Sequence, residues 1–276
     1  MRLALVIGSG YERNGQVASV SSADFDSELV ERRLLKHDAG FRVVRFRAER
    51  GLADQIEQRL LAQREPIQEV LLYFSGYCAV SSERGPALLL DGQRLGTFAM
   101  ARLRKLIENF SPASCVVMDV TVVVEEGKTL EAAVHAIGEV LAGNGSTVSV
   151  LLAARRNDAG EPPAAQAFTS WLLTALDWLA ASRSADQSVD LSWLFEGLRA
   201  DHEKFAAIPV VLFFPQHRPF VILPPYTGAV DEAGLPRFDY GPDPEQESHE
   251  SMVGSEPWAP LPSFAGAEAS EAESEP

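Results

Sequence analysis

Near the middle of the chain, Ser114, Cys115, Val116, Val117 and Met118 form an apolar run that breaks into Asp119, Val120 and Thr121. A short run rich in β-branched and sulfur-bearing residues, with no polar alternation, suits a strand buried on both faces of a parallel sheet. Parallel strands need crossover helices, which cover both faces, so this one stretch commits the chain to an α/β architecture. In open α/β sheets the reacting groups collect in the crevice beyond the carboxyl ends of the strands. The residues that end this strand, Asp119 and Thr121, are therefore the first to ask about chemistry.

Strand and helix signals alternate on either side of that run. Residues 3–7, Phe41–Phe46, 69–74 and 147–153 read as further strands, and 209–214 and 219–223 as two late ones. Helical spacing of apolar residues marks 26–36, Leu52–Leu61, Met100–Phe110, 130–141 and 168–181. A short helix over 190–198 has Asp190 as its cap, because that carboxylate can accept from early backbone N–H groups. Ala87, Leu88, Leu89 and Leu90 before Asp91 and Gly92 read as one arm of a small hairpin or flap. The alternation predicts parallel pairing with right-handed crossovers. Gly8, Ser9 and Gly10 follow the first strand, but Arg13 stands where a dinucleotide fingerprint needs its third glycine, so that reading fails.

Charge divides the chain of 276 residues into two domains at about residue 225. Residues 226–276 hold twelve acidic residues against the single Arg237, which is −11 of the formal −15 and leaves −4 on residues 1–225. The tail is rich in Glu, Ser, Pro, Gly and Ala, a composition that cannot bury enough apolar surface to offset its conformational entropy, and disorder is expected. Phe238, Tyr240, Trp258 and Phe264 are spaced along it as candidate anchors for docking. Neither part carries the basic stripe that nucleic-acid binding needs. No apolar run is long enough for a membrane span, and the opening apolar run is too short for a signal peptide. Cys78 and Cys115 cannot build a disulfide framework, and a reduced, cytoplasmic setting is expected. His37, His135, His202, His217 and His249 show no metal-ligand spacing with one another or with acids, and no metal or cofactor is expected.

Four stretches together resemble one family. They are Leu71, Leu72, Tyr73, Phe74, Ser75 and Gly76; Ser114 to Thr121; residues 148–154 followed by Ala165, Gln166, Ala167, Phe168 and Thr169; and Val189, Asp190 and Leu191 with Leu194 and Phe195. Their order and spacing over roughly residues 1–222 resemble the caspase–metacaspase fold of cysteine peptidases. The resemblance implies a three-layer α/β sandwich, with a mostly parallel central sheet of about six strands and helices on both faces. It also implies a histidine after the strand that ends at Gly76, and a nucleophilic cysteine at the end of the central strand.

Neither residue is present at those positions. Tyr77 and Cys78 stand where the resemblance puts His-Gly, and Thr121 stands where it puts the cysteine. Peptide cleavage of this kind needs an imidazole to take the thiol proton and later return it to the leaving amine. A phenol that titrates near ~10 is a poor base at neutral pH, and a secondary alcohol is far less acidic than a thiol. The expected reading is a degenerate peptidase, not an enzyme, acting through a protein partner as regulator, scaffold or substrate of an active protease, with the exposed acidic tail open to cleavage. Candidates for a retained peptide groove are Asp119, Ser75, Gly76 and Cys78. The resemblance makes Asp119 an acid lining a pocket for a basic side chain; a hydrogen-bonded structural role stands beside it. The alternative function is an active cysteine endopeptidase with Cys78 as displaced nucleophile, against which stands a small buried residue at a strand end. A third reading is a small-molecule or nucleotide binder in the α/β crevice. The chain is expected as a monomer or homodimer.

Overall fold

The computed structural model describes residues 1–9, 11–13, 16–18, 21–37, 39–46, 51–90, 97–156, 167–201, 210–216, 218–228 and 230. Apart from 226–228 and 230, the acidic tail lies outside the described residues, with its four aromatic anchors, His202, His217 and His249.

The central strands are β1 (Arg2–Gly8), β4 (Phe41–Phe46), β5 (Glu69–Ser81), β8 (Ala113–Val124), β9 (Val148–Arg156) and β11 (Val210–Phe214). They lie in the spatial order β11-β9-β8-β5-β1-β4. β4, β1, β5, β8 and β9 run parallel, which fits the crossover helices between them. β6 (Gly85–Leu89) folds back on β5 as the second arm of a hairpin, and β7 (Thr97–Ala99) pairs with β6. The short β2 (Tyr11–Arg13) and β3 (Gln16–Ala18) pair with each other.

The expected alternation of parallel strands fails at the end of the chain. β11 runs antiparallel to β9. Between them the chain passes through two helices, α5 (Ala167–Ser182) and α6 (Leu191–Asp201), so it traverses the length of the sheet twice and re-enters from the carboxyl end. The last strand, β12 (Val221–Leu223), joins the two-residue β10 (Val189–Asp190) instead of the main sheet. Arg183 fastens that corner, donating to the carbonyls of Leu223 at 3.1 Å and Pro224 at 2.7 Å. Asp190 caps α6 as expected, its Oδ1 accepting from the N–H groups of Ser192 at 2.8 Å and Trp193 at 3.2 Å.

Alternation along the strands sends side chains to two separate cores. Leu3, Leu5, Ile7, Leu72, Phe74, Val116, Met118, Val150 and Leu152 pack beneath α2 (Leu52–Leu61), α3 (Met100–Phe110) and α4 (Leu130–Ala142). Ala4, Val6, Tyr73, Cys115, Val117 and Leu151 face α1 (Ser21–Lys36), α5 and α6. The result is an α/β sandwich of three layers. No helix among the described residues is long and apolar enough to cross a membrane.

Candidate functional site

β5 and β8 are longer than the sequence suggests and continue side by side past the point where their apolar runs end. Their register places Ser75 opposite Asp119, Gly76 opposite Val120, Tyr77 opposite Thr121 and Cys78 opposite Val122. Residues of the same parity share a face, so Ser75, Tyr77, Asp119 and Thr121 form a two-by-two block on the side covered by α1 and α5. The two positions at which the sequence departs from the peptidase pattern are direct cross-strand neighbours.

Gly76 lies between them on β5 with φ of 153°, a backbone conformation that favours glycine. A Cβ there would also fall 2.7 Å from the Cβ of Ser9 at the end of β1. That glycine lets β1 and β5 approach closely beside the block. The side chain of Ser9 bridges onward to the carbonyl of Leu89 on β6.

Cys78 is not part of this cluster, and the expectation that it lines the same groove is corrected. It projects to the other face of the sheet, fully buried in the core with Val80, Leu88 and Val122. Cys115 faces the α1–α5 side but lies deeper along its strand, equally buried. Burial pushes both thiols up in pKa and holds them protonated.

The block is wired by residues from three further elements. Arg155, near the end of β9 and opposite Thr121 in register, donates from Nη2 to Asp119 Oδ1 at 2.8 Å and from Nε to Thr121 Oγ1 at 3.2 Å. Thr169, in the first turn of α5, donates to Asp119 Oδ2 at 2.8 Å. The Thr169 oxygen also lies 2.6 Å from the Tyr73 hydroxyl. With its own proton directed to Asp119, Thr169 must accept from Tyr73, which gives a chain of Tyr73, Thr169, Asp119, Arg155 and Thr121. Burial raises the Tyr73 pKa, with the nearby Asp26 and Asp119 charges adding to it, so its proton is firmly held. From α1, Asp26 accepts from Ser75 Oγ at 3.0 Å.

Each carboxylate oxygen of Asp119 already has an internal donor, and the residue is 3 % exposed. A basic side chain reaching it from outside would have to compete with Arg155. Thr121 is held as an acceptor by the same guanidinium. Of the two described histidines, neither reaches the block. His37 is buried where α1 meets α5, beside Asp177, and His135 on α4 meets the Phe214 ring edge-on.

Sequence reading singled out Ser75, Gly76, Tyr77, Asp119 and Thr121, and the fold gathers them. It missed Arg155, Asp26 and Tyr73 as members. Arg155 did carry a signal of the same kind as Asp119, a charged residue ending an apolar run. Thr169 stood within the stretch that carried the family resemblance, without a role attached.

Comparison with known proteins gives a fold and little more. No family model and no curated protein matches the chain. Among solved structures, caspase-1 from Spodoptera frugiperda superposes with a TM-score of 0.51 at 11 % identity, covering 82 % of this chain and 91 % of that one. A protein of Geobacter sulfurreducens aligns with a TM-score of 0.45 at 16 % identity, over 86 % and 97 % of the two chains. The fold of the chain is caspase-like.

Proposed function

We propose that this chain is a caspase-fold protein without a peptidase step, acting by binding as a regulator, scaffold or substrate of an active protease. One observation carries the reading. Tyr77 and Thr121 are cross-strand neighbours at the carboxyl ends of β5 and β8, where the family resemblance places an imidazole and a thiol. A nucleophile at Thr121 would need a strong base within reach of its hydroxyl. Arg155 already donates to that oxygen, the Asp119 oxygens are taken by Arg155 and Thr169, and Asp26 meets Ser75 and makes no hydrogen bond to Thr121. A phenol at Tyr77 is no substitute base near neutral pH.

The second reading, a cysteine endopeptidase acting through Cys78, is disfavoured by one feature. That thiol is sealed in the core on the opposite face from the block, and its pKa is raised by burial. A thiolate that is neither exposed nor formed is not a nucleophile.

The discriminating experiment incubates the purified full chain with a fluorogenic peptide library and, separately, with peptide electrophiles that capture thiols. Neither turnover that scales with protein concentration nor labelling of the folded chain is expected. Turnover abolished by Cys78→Ala or Thr121→Ala would overturn the reading. Scission within 226–276 by an added caspase-type peptidase would place the chain among substrates and leave its own inactivity standing.

A further inference from the structure

Asp26 is an acid with less support than its burial demands. It sits on the second turn of α1, 1 % exposed, beneath the helix and above the carboxyl ends of the strands. Its Oδ2 accepts from Ser75 Oγ at 3.0 Å, while its Oδ1 is buried without a hydrogen-bond partner, and among the described residues it makes no ion pair. An isolated carboxylate taken out of water is costly, and the usual escape is to keep the proton.

The charges around it relieve this only in part. From β8, Asp119 adds a second negative charge to the same buried cluster, and from β9, Arg155, bonded to Asp119 and Thr121, offsets the burial without overcoming it. From β5 come Ser75 and the phenols of Tyr73 and Tyr77, and from β1 comes Ser9, which bonds to Leu89. On β4, Arg45 pairs outward with Glu28 and Glu31 of α1. From α5, Asp177 meets Arg33 and His37 at the far end of the helix. Within α1, Asp24 and Glu28 stand two residues to either side, and one oxygen of Asp24 is also buried without a partner. Consistent with this setting, desolvation first and Asp119 second raise the Asp26 pKa from 3.8 to about 7.

The helix is tightly seated at this point. A Cβ on Gly8, at the end of β1, would fall 2.4 Å from the backbone oxygen of Ala23 in α1. The start of α1 therefore rests directly on the sheet, and Asp26 is the polar group that completes the seat. We propose that α1 is a proton-responsive cover over the carboxyl end of the sheet, held down while Asp26 carries a proton and loosened when that proton leaves. The inference is independent of whether the crevice below binds a protein partner or cleaves one.

The direction follows from linkage. When α1 lifts, Asp26 meets water and returns to an ordinary acid, so the seated state binds the extra proton. Seating is then firmest below pH about 4, weakens as pH rises from there, and has lost Asp26's whole contribution above pH about 7. The opening constant should grow about tenfold between pH 6 and pH 8. The test is backbone hydrogen exchange of the full chain at those two pH values, expressed as protection relative to intrinsic exchange.

Protection over Ser21–Lys36 should fall about tenfold in the wild type and stay level in Asp26→Asn, while Leu130–Ala142 on the opposite face stays level in both. An equal loss in Asp26→Asn, no loss in the wild type, or an equal loss in Leu130–Ala142 would overturn the cover. Should Asp26→Asn not fold, the carboxyl 13C resonance of wild-type Asp26 decides. A midpoint near 7 is expected, and one in the ordinary acid range overturns the inference.

Discussion

The two faces of β5 and β8 differ most where the strands end. On the face beneath α2, α3 and α4, the carboxyl halves carry Phe74, Cys78, Val80, Met118, Val120 and Val122, all buried in one apolar core. On the other face the same strands carry Ser75, Tyr77, Asp119 and Thr121, which are just as buried but polar. A strand pair of this kind can be packed with apolar residues, as these positions on its reverse side are. Buried ion pairs are seldom more stabilising than apolar residues of similar volume. The polar face is therefore poorly explained by stability alone. It is the face that the proposed binding role would use as its crevice.

Substitutions can sharpen or break that contrast. The largest effect is expected from bringing polarity to the apolar face. Val120→Asp would bury a carboxylate with no partner and should cost more than about 4 kcal/mol, leaving little folded protein in a denaturant titration. Next is Asp119→Ala, which takes from Arg155 its carboxylate partner and removes the acceptor of Thr169, with an expected loss of about 3 kcal/mol in unfolding free energy. Cys78→Ser places an unsatisfied hydroxyl among aliphatic neighbours and should cost about 2 kcal/mol by the same measurement. Thr121→Val removes only the acceptor of Arg155 Nε and should cost about 1 kcal/mol. If Thr121→Val proved more damaging than Cys78→Ser, the apolar face would not be the less tolerant of the two.

Much of this arrangement was legible before any coordinates. The run ending in Asp119 and Thr121 announced a doubly buried strand, and 3–7 and 69–74 were legible as strands, which the fold shows as parts of β1 and β5. The family resemblance also paired Tyr77 with Thr121, and the strand register makes them neighbours. What was illegible depended on distance or direction. Asp119 and Arg155 are 36 positions apart, and no local pattern says that one will neutralise the other. Cys78 followed Tyr77 so closely that it seemed to belong to the groove, yet a step of one residue reverses the face. Asp26 looked like the start of a helix, and only packing reveals that it is buried. The antiparallel β11 depends on how many helices intervene, which a reading by alternation alone passes over.

The proposed function has the strand ends keep the spacing of a thiol–imidazole pair while carrying other groups. It can be tested by installing those groups and titrating the new thiol by its thiolate absorbance. In Thr121→Cys the thiol has Arg155 as its cationic neighbour. In Tyr77→His/Thr121→Cys it should also face an imidazole across the register, and its pKa should fall by about one unit or more relative to the single variant. Identical titration curves in the two variants would show that positions 77 and 121 do not face each other, and would contradict the account.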